Sequence, residues 1–459
     1  MKKFHASVKI ALFAGLIGLA ACTSRSNPIS VQEKDTRCNL PAASCNVLSG
    51  YSGNSVASGT SGATIAGGGL AGAPNQVNGN QGTVGGGEGN TAGEGSTVGG
   101  GSGNTARYFR ATVGGGTSNV AEAEEATVGG GLTNTASGRF SSVGGGAANK
   151  ASADYSTVSG GSGNTANYQL SSVGGGTDNQ SSNEASVVAG GEHNLAQGAY
   201  SAVVGGINNA AGGPGTVVGG GAGNVASGSY ALVPGGFSNL AAGDYSFAAG
   251  RNANVNAKDP GSFLFADSNN YQFPSIAPNE FGVRATGGVR FVTAIDPAGN
   301  PLAGVRISPG SGSWETLSDS QAKTSIVPVN EQQVLERLMS LQVSSWSYRG
   351  QEASIRHIGP MAQDFYRAFQ VGEDNHYIST VDEEGVALVA IQQLYRLVQQ
   401  NQAQTSATAP AGDPALQVQI ASLQQQLTIS NGLAGAALLT AILALWRRKK
   451  RKCLGESGI

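Results

Sequence analysis

The chain has 459 residues, of which 72 are Gly, 15 are Pro and 12% are charged, with a formal net charge of -2. Average globular domains hold about half that share of Gly and about twice that share of charge, so this is not an ordinary globular enzyme. Collagen needs Gly at every third position with abundant Pro, and a charge-driven disordered chain needs a strong net charge, so both are excluded.

Lys2, Lys3 and Lys9 lead into an apolar run from Ile10 to Leu19 followed by small residues, which reads as an export signal over 1–22. Leu19-Ala20-Ala21-Cys22 resembles the lipobox of bacterial lipoproteins, which implies lipidation of Cys22; the alternative is ordinary cleavage near Ala21. Cys38 and Cys45 lie seven apart in the exported segment 23–54, where an oxidising compartment permits a small disulfide loop. Without partnering His residues they make no zinc site, so no metal is expected.

From 104 to 254 an Asn recurs every 15 residues without a break. Six residues before these Asn stand Val98, Val113, Val128 and their successors to Val233, then Ala248; Gly pairs such as Gly160-Gly161 fill the interval. A coil of 15 residues has room for two strands of about five residues and two tight turns, for which Gly and Asn supply positive backbone angles. Some eleven coils stacked at about 4.8 Å give a rod on the order of 50 Å long. One Val and one Ala per coil make a thin core, so several chains are expected to share it, with Phe140, Tyr155, Tyr200, Tyr230 and Tyr245 covering an inter-chain or turn surface.

The unit Ser229-Tyr230-Ala231-Leu232-Val233-Pro234-Gly235-Gly236-Phe237-Ser238-Asn239-Leu240-Ala241 resembles the left-handed parallel β-roll heads of trimeric autotransporter adhesins. Those heads usually carry 14-residue units. The resemblance implies a homotrimer whose head binds a glycan or another cell-surface ligand. The acidic residues of the roll form no repeating Asp rank for calcium and single out no carboxylate pair for glycan cleavage. Gly99-Gly100-Gly101 is no phosphate loop, because no Gly-Lys-Ser/Thr follows.

Beyond 260 the alternation in Phe281-Gly282-Val283-Arg284-Ala285 and Gly288-Val289-Arg290-Phe291-Val292 reads as short strands of a β-rich neck over 261–316. Then comes Leu317-Ser318-Asp319-Ser320-Gln321-Ala322-Lys323. By itself, Ser-Asp before a helix is a cap. A helical segment follows around Val334 to Leu341, then Trp346-Ser347-Tyr348, His357-Ile358-Gly359-Pro360-Met361-Ala362-Gln363-Asp364-Phe365, and Asp382-Glu383-Glu384-Gly385 before a Leu-rich helix. Taken in this order, these motifs resemble the intramolecular chaperone domain of endosialidases and other phage tailspikes. The resemblance implies trimer assembly and self-cleavage with Ser318 as nucleophile and Lys323 as its base, the bond cut being Leu317-Ser318. Where many members have Arg-Leu before the Lys, this chain has Gln321-Ala322. A Lys takes the hydroxyl proton only once burial lowers its pKa, and trimer formation offers that burial. His357 and Asp364 stand as supporting residues for the site or the assembly, with a core role equally open.

Val386, Val389, Leu394, Leu397 and Val398 mark an amphipathic helix, and Leu416, Ile420, Leu423 and Leu427 follow a 4-3-4 coiled-coil spacing. Ile429 to Trp446 is an uncharged run long enough to span a membrane, with an interfacial or oligomer-core helix as the alternative, and residues 447–459 carry six basic and one acidic side chain. The basic block orients the span rather than binding nucleic acid.

The expected fold is therefore mainly β with an α-helical C-terminal part. Its segments are a signal (1–22), linker (23–54), trimeric parallel β-roll solenoid head (55–260), neck (261–316), α+β chaperone domain (317–404), linker and coiled coil (405–428), transmembrane helix (429–446) and basic tail (447–459). The expected function is an exported, membrane-anchored trimeric fibre that cuts itself once and needs no cofactor. A prophage tail fibre, which needs neither signal nor anchor, and a surface glycan depolymerase are the alternatives.

Overall fold

The computed structural model describes residues 44–408 and 418–426. The signal segment with Cys22, Cys38, the apolar run 429–446 and the basic tail lie outside the described residues. Among the described residues no helix is long and apolar enough to cross a membrane. Contacts divide the chain into two units, with the boundary between Val289 and Arg290.

The first unit is a parallel β-solenoid of about 16 turns. Each coil before Phe247 contributes two strands of only two residues. Thr127–Val128 pairs in parallel with Thr112–Val113 before it and Ser142–Val143 after it. On a second sheet, Thr135–Ala136 lies between Val120–Ala121 and Lys150–Ala151. A third rank runs through single-residue parallel bridges, as in Thr117, Leu132 and Ala147. The strands are shorter than the five residues expected because each coil turns three corners, not two.

The Val and Ala of each strand pair point inward, and Val98 to Val233 are fully buried within one chain. The expectation that several chains share this core is therefore corrected: the third rank closes the coil on itself. The periodic Asn from 104 to 239 are also buried, Asn254 being only partly so, and they do not take the positive φ expected of them. That angle falls on the residue before, such as Ser118, Thr133 and Ala148.

The Asn side chain instead builds a ladder. Asn134 donates through Nδ2 to Gly130 O and Gly146 O, each at 2.8 Å. Its Oδ1 accepts the backbone N–H of Asn149 at 2.9 Å, while its own N–H donates to Asn119 Oδ1. A buried amide with every group paired costs nothing in lost hydration and fixes the register of each coil on the next. Gly131 makes this corner possible: its φ is +95° and a Cβ there would stand 2.1 Å from Gly146 O.

Parallel ranks begin at Val47–Leu48 and continue through Phe273–Pro274 and Phe281–Arg284. The solenoid thus extends beyond both ends of the 55–260 span expected, and the first part of the proposed neck adds its final coils. There Phe247, Phe263 and Phe281 stack on one another at 4.1 and 5.1 Å. Phe140, Tyr155, Tyr200, Tyr230 and Tyr245 occupy the expected turn surface with φ near +57° and side chains exposed. Phe140 and Tyr155 stack at 5.0 Å, as do Tyr230 and Tyr245 at 5.6 Å.

The second unit opens with a three-stranded sheet of Val289–Ile295, Pro301–Ile307 and Glu315–Thr316. Next comes α1 (Glu331–Ser340), capped by Asn330, whose side chain accepts the N–H of Gln333. An antiparallel hairpin joins Val343–Trp346 to His357–Pro360. Then come α2 (Ala362–Phe369) and α3 (Thr380–Thr408). α1 packs on α3 and α2, with Phe365 and Phe369 buried. Residues 418–426 are helical and exposed; Ile420 and Leu423 lie there, while Leu416 and Leu427 fall outside the described residues, so no coiled-coil seam is shown.

Candidate functional site

The strand Glu315–Thr316 pairs antiparallel with Pro301–Ile307, setting Val305 opposite Thr316 and Arg306 opposite Glu315. Arg306 Nε donates to Glu315 Oε2 at 2.7 Å and Ser308 adds a second hydrogen bond to that carboxylate. These donors, Arg306 first, hold the Glu315 carboxyl below its ordinary pKa. Pairing continues one residue further, because Leu317 N–H donates to Gly304 O at 3.0 Å. The chain leaves the sheet at Ser318.

A short 3-10 turn over Ser320–Ala322 follows, and Asp319 caps it by accepting the N–H of Gln321. The cap expected of Ser-Asp is thus present and serves the site. Because the turn doubles the chain back, Lys323 returns to its neighbour five residues earlier: Nζ donates to Ser318 Oγ at 2.7 Å. A hydroxyl this close to an amine has a partner able to take its proton once that amine is neutral. Both side chains are exposed in one chain, so water reaches the pair there. Beside the pair lies a cavity of about 390 Å³ whose walls include Phe291, Val292, Gly304, Val305, Leu317 and Ser318.

The other two candidates are placed apart from this pair. His357 Nε2 hydrogen-bonds Gln351 Oε1 at 2.9 Å, and its ring lies against Trp346 and Tyr348. Asp364 stands in the first turn of α2 and pairs with Arg367 at 3.0 Å. Within one chain, neither contacts Ser318 or Lys323. Cys45 is disulfide-bonded. Among the described residues no cluster of His, Cys, Asp and Glu could hold a metal.

Residues 318–371 match the family model of the chaperone of endosialidase. The match begins at Ser318 itself and ends just past α2. No match to a curated protein was found. A chaperone-of-endosialidase domain behind a parallel β-solenoid fits a trimeric protein of the tail-fibre or tailspike type.

Two features were not singled out from the sequence. The neck residues Gly304, Arg306 and Glu315 carry no motif, and only strand pairing shows that they hold the segment before Ser318. On α3, Leu388, Ile391 and Tyr395 are exposed and continue at 3-4-3 spacing to Val398, which the sequence did mark. In the sequence that periodicity is interleaved with Val386 and Val389, which lie on the α1-facing side.

Proposed function

We propose that this chain is an exported trimeric fibre whose chaperone domain directs assembly of three chains and then cuts each chain between Leu317 and Ser318. The observation that carries this reading is the 2.7 Å contact between Lys323 Nζ and Ser318 Oγ at the first residue of the family match. Neutral Lys323 takes the Ser318 hydroxyl proton as Oγ bonds to the Leu317 carbonyl carbon through a five-membered ring. The Leu317–Ser318 C–N bond then breaks, the proton passes to the freed Ser318 amine, and an ester joins Leu317 to Oγ. Water hydrolyses that ester, leaving a Leu317 carboxylate and a free Ser318 hydroxyl. No cofactor enters, and the reaction turns over once.

The export signal over 1–22, with lipidation at Cys22, and the span over 429–446 place the solenoid outside the cytoplasm on this reading. Cutting at Leu317–Ser318 separates it from the C-terminal anchor. The exposed aromatic rank of Tyr200, Tyr230 and Tyr245 supports a role for the solenoid in binding a glycan or another surface ligand.

The test is a denaturing gel with mass spectrometry on wild type, Ser318→Ala and Lys323→Ala. A fragment beginning at Ser318 from wild type alone supports the reading. Three intact proteins that all form trimers would reduce the domain to an assembly clamp.

A further inference from the structure

Self-cleavage needs the Leu317 carbonyl carbon held against Ser318 Oγ, and the family match beginning at Ser318 covers only the leaving side of that bond. The acyl side is held by the neck. Leu317 N–H is tied to Gly304 O at 3.0 Å, and Ser318 Oγ is tied to Lys323 Nζ at 2.7 Å. The carbonyl under attack lies between these two fixed points. Gly304 in turn sits where a side chain does not fit: a Cβ would stand 2.2 Å from Phe291 O and 3.1 Å from Val292 Cα. The strand Val289–Ile295 therefore presses on Gly304 from one side while Leu317 takes its carbonyl on the other.

We infer that the neck sheet forms the acyl half of the cleavage site and that Gly304 is its positioning residue. This rests on the self-cleavage reading above. The consequence is a second condition for cutting: the neck must be folded, as well as the chaperone domain assembled, before the bond is presented to Ser318. Misplacing a reacting group by about 1 Å costs on the order of a hundredfold in rate, so a Cβ forced between these strands has a large effect available to it.

The experiment follows cleavage of the full chain over time on denaturing gels, with native mass spectrometry for trimer and a pH series for the rate. Gly304→Ala is expected to form trimers and to cut at least about tenfold more slowly. The pH midpoint of cutting is expected to stay at the wild-type value, because Lys323 is untouched. Should Gly304→Ala fail to assemble, a second variant decides: the α-hydroxy analogue of leucine at position 317 makes the Thr316–Leu317 link an ester, which replaces the N–H that Gly304 receives while leaving every side chain in place, and is expected to slow cutting likewise. Cutting of both variants within about twofold of wild type would overturn the inference. A wild-type chain that stays whole would instead overturn the self-cleavage reading, a distinct result.

Discussion

Lys323 Nζ reaches Ser318 Oγ at 2.7 Å across a single 3-10 turn capped by Asp319. The pair is local and complete within one chain, where both side chains are exposed to water. Lys323→Arg is the sharpest probe of the base, because a guanidinium stays protonated at any pH used. The expected result is trimer with no fragment, measured by gel and intact mass. In wild type, the rate of cutting should rise with pH, since only the neutral amine accepts a proton; a rate that falls with pH would exclude Lys323 as the base.

The Asn ladder predicts a localised stability loss. Asn164 is fully buried, donates to Gly160 O and Gly176 O, and accepts the N–H of Asn179. Replacing it with Ala leaves Gly160 O and the Asn179 N–H without that partner, while Gly176 O keeps the Ser162 N–H, and each buried polar group so stranded costs about 1–3 kcal/mol. Because each coil touches mainly its neighbours, amide exchange should quicken around residues 149–179 and stay unchanged at distant coils. Uniform protection in Asn164→Ala would show the ladder to be dispensable.

The 15-residue period made the solenoid legible from the sequence, since a repeat that long with one inward Val and one inward Ala has few other ways to bury them. The corner count was not legible, because Asn serves both as a left-handed turn residue and as a buried amide, and only the placement of positive φ on Thr133 rather than Asn134 distinguishes the two. Ser318 and Lys323 were found through a resemblance, and their proximity required the turn that Asp319 caps. Gly304 had no signal at all: the role proposed for it depends on its hydrogen bond from Leu317 and on the close approach of Phe291 O, which no local pattern encodes.

Acid should loosen the C-terminal end of the solenoid. Asp267 accepts the N–H and Oγ1 of Thr286 and the Nε of Arg284, and these donors, Thr286 first, hold its carboxyl well below the ordinary carboxylate range. A depressed folded-state pKa contributes stability that is fully present above the unfolded value of about 4 and is lost as pH falls below it. Asp259, Asp296 and Glu315 shift in the same direction, so wild type alone does not isolate the effect. Asp267→Asn should melt lower than wild type at pH 7, and the gap should narrow as both are taken to pH 2.5. A gap that is constant with pH would mean that shape, not charge, holds this clamp.

The outer face of α3 predicts how assembly and cutting are linked. Leu388, Ile391 and Tyr395 are 63%, 63% and 65% exposed, while Val386, Val389 and Ala390 turn toward the rest of the unit. A row of large apolar side chains at 3-4-3 spacing left in water is costly for a monomer, and that spacing is what packed parallel helices use. Ile391→Asp puts a charge in the middle of the row without touching the α1 contact or the Arg396–Glu331 ion pair that ties α3 to α1. The expected outcome is a folded monomer by native mass spectrometry and helical circular dichroism. If assembly supplies the cover that Lys323 lacks, the same variant should also leave Leu317–Ser318 uncut. A monomer that still cuts itself at the wild-type rate would separate the two events and show that Ser318 and Lys323 need nothing from a neighbouring chain.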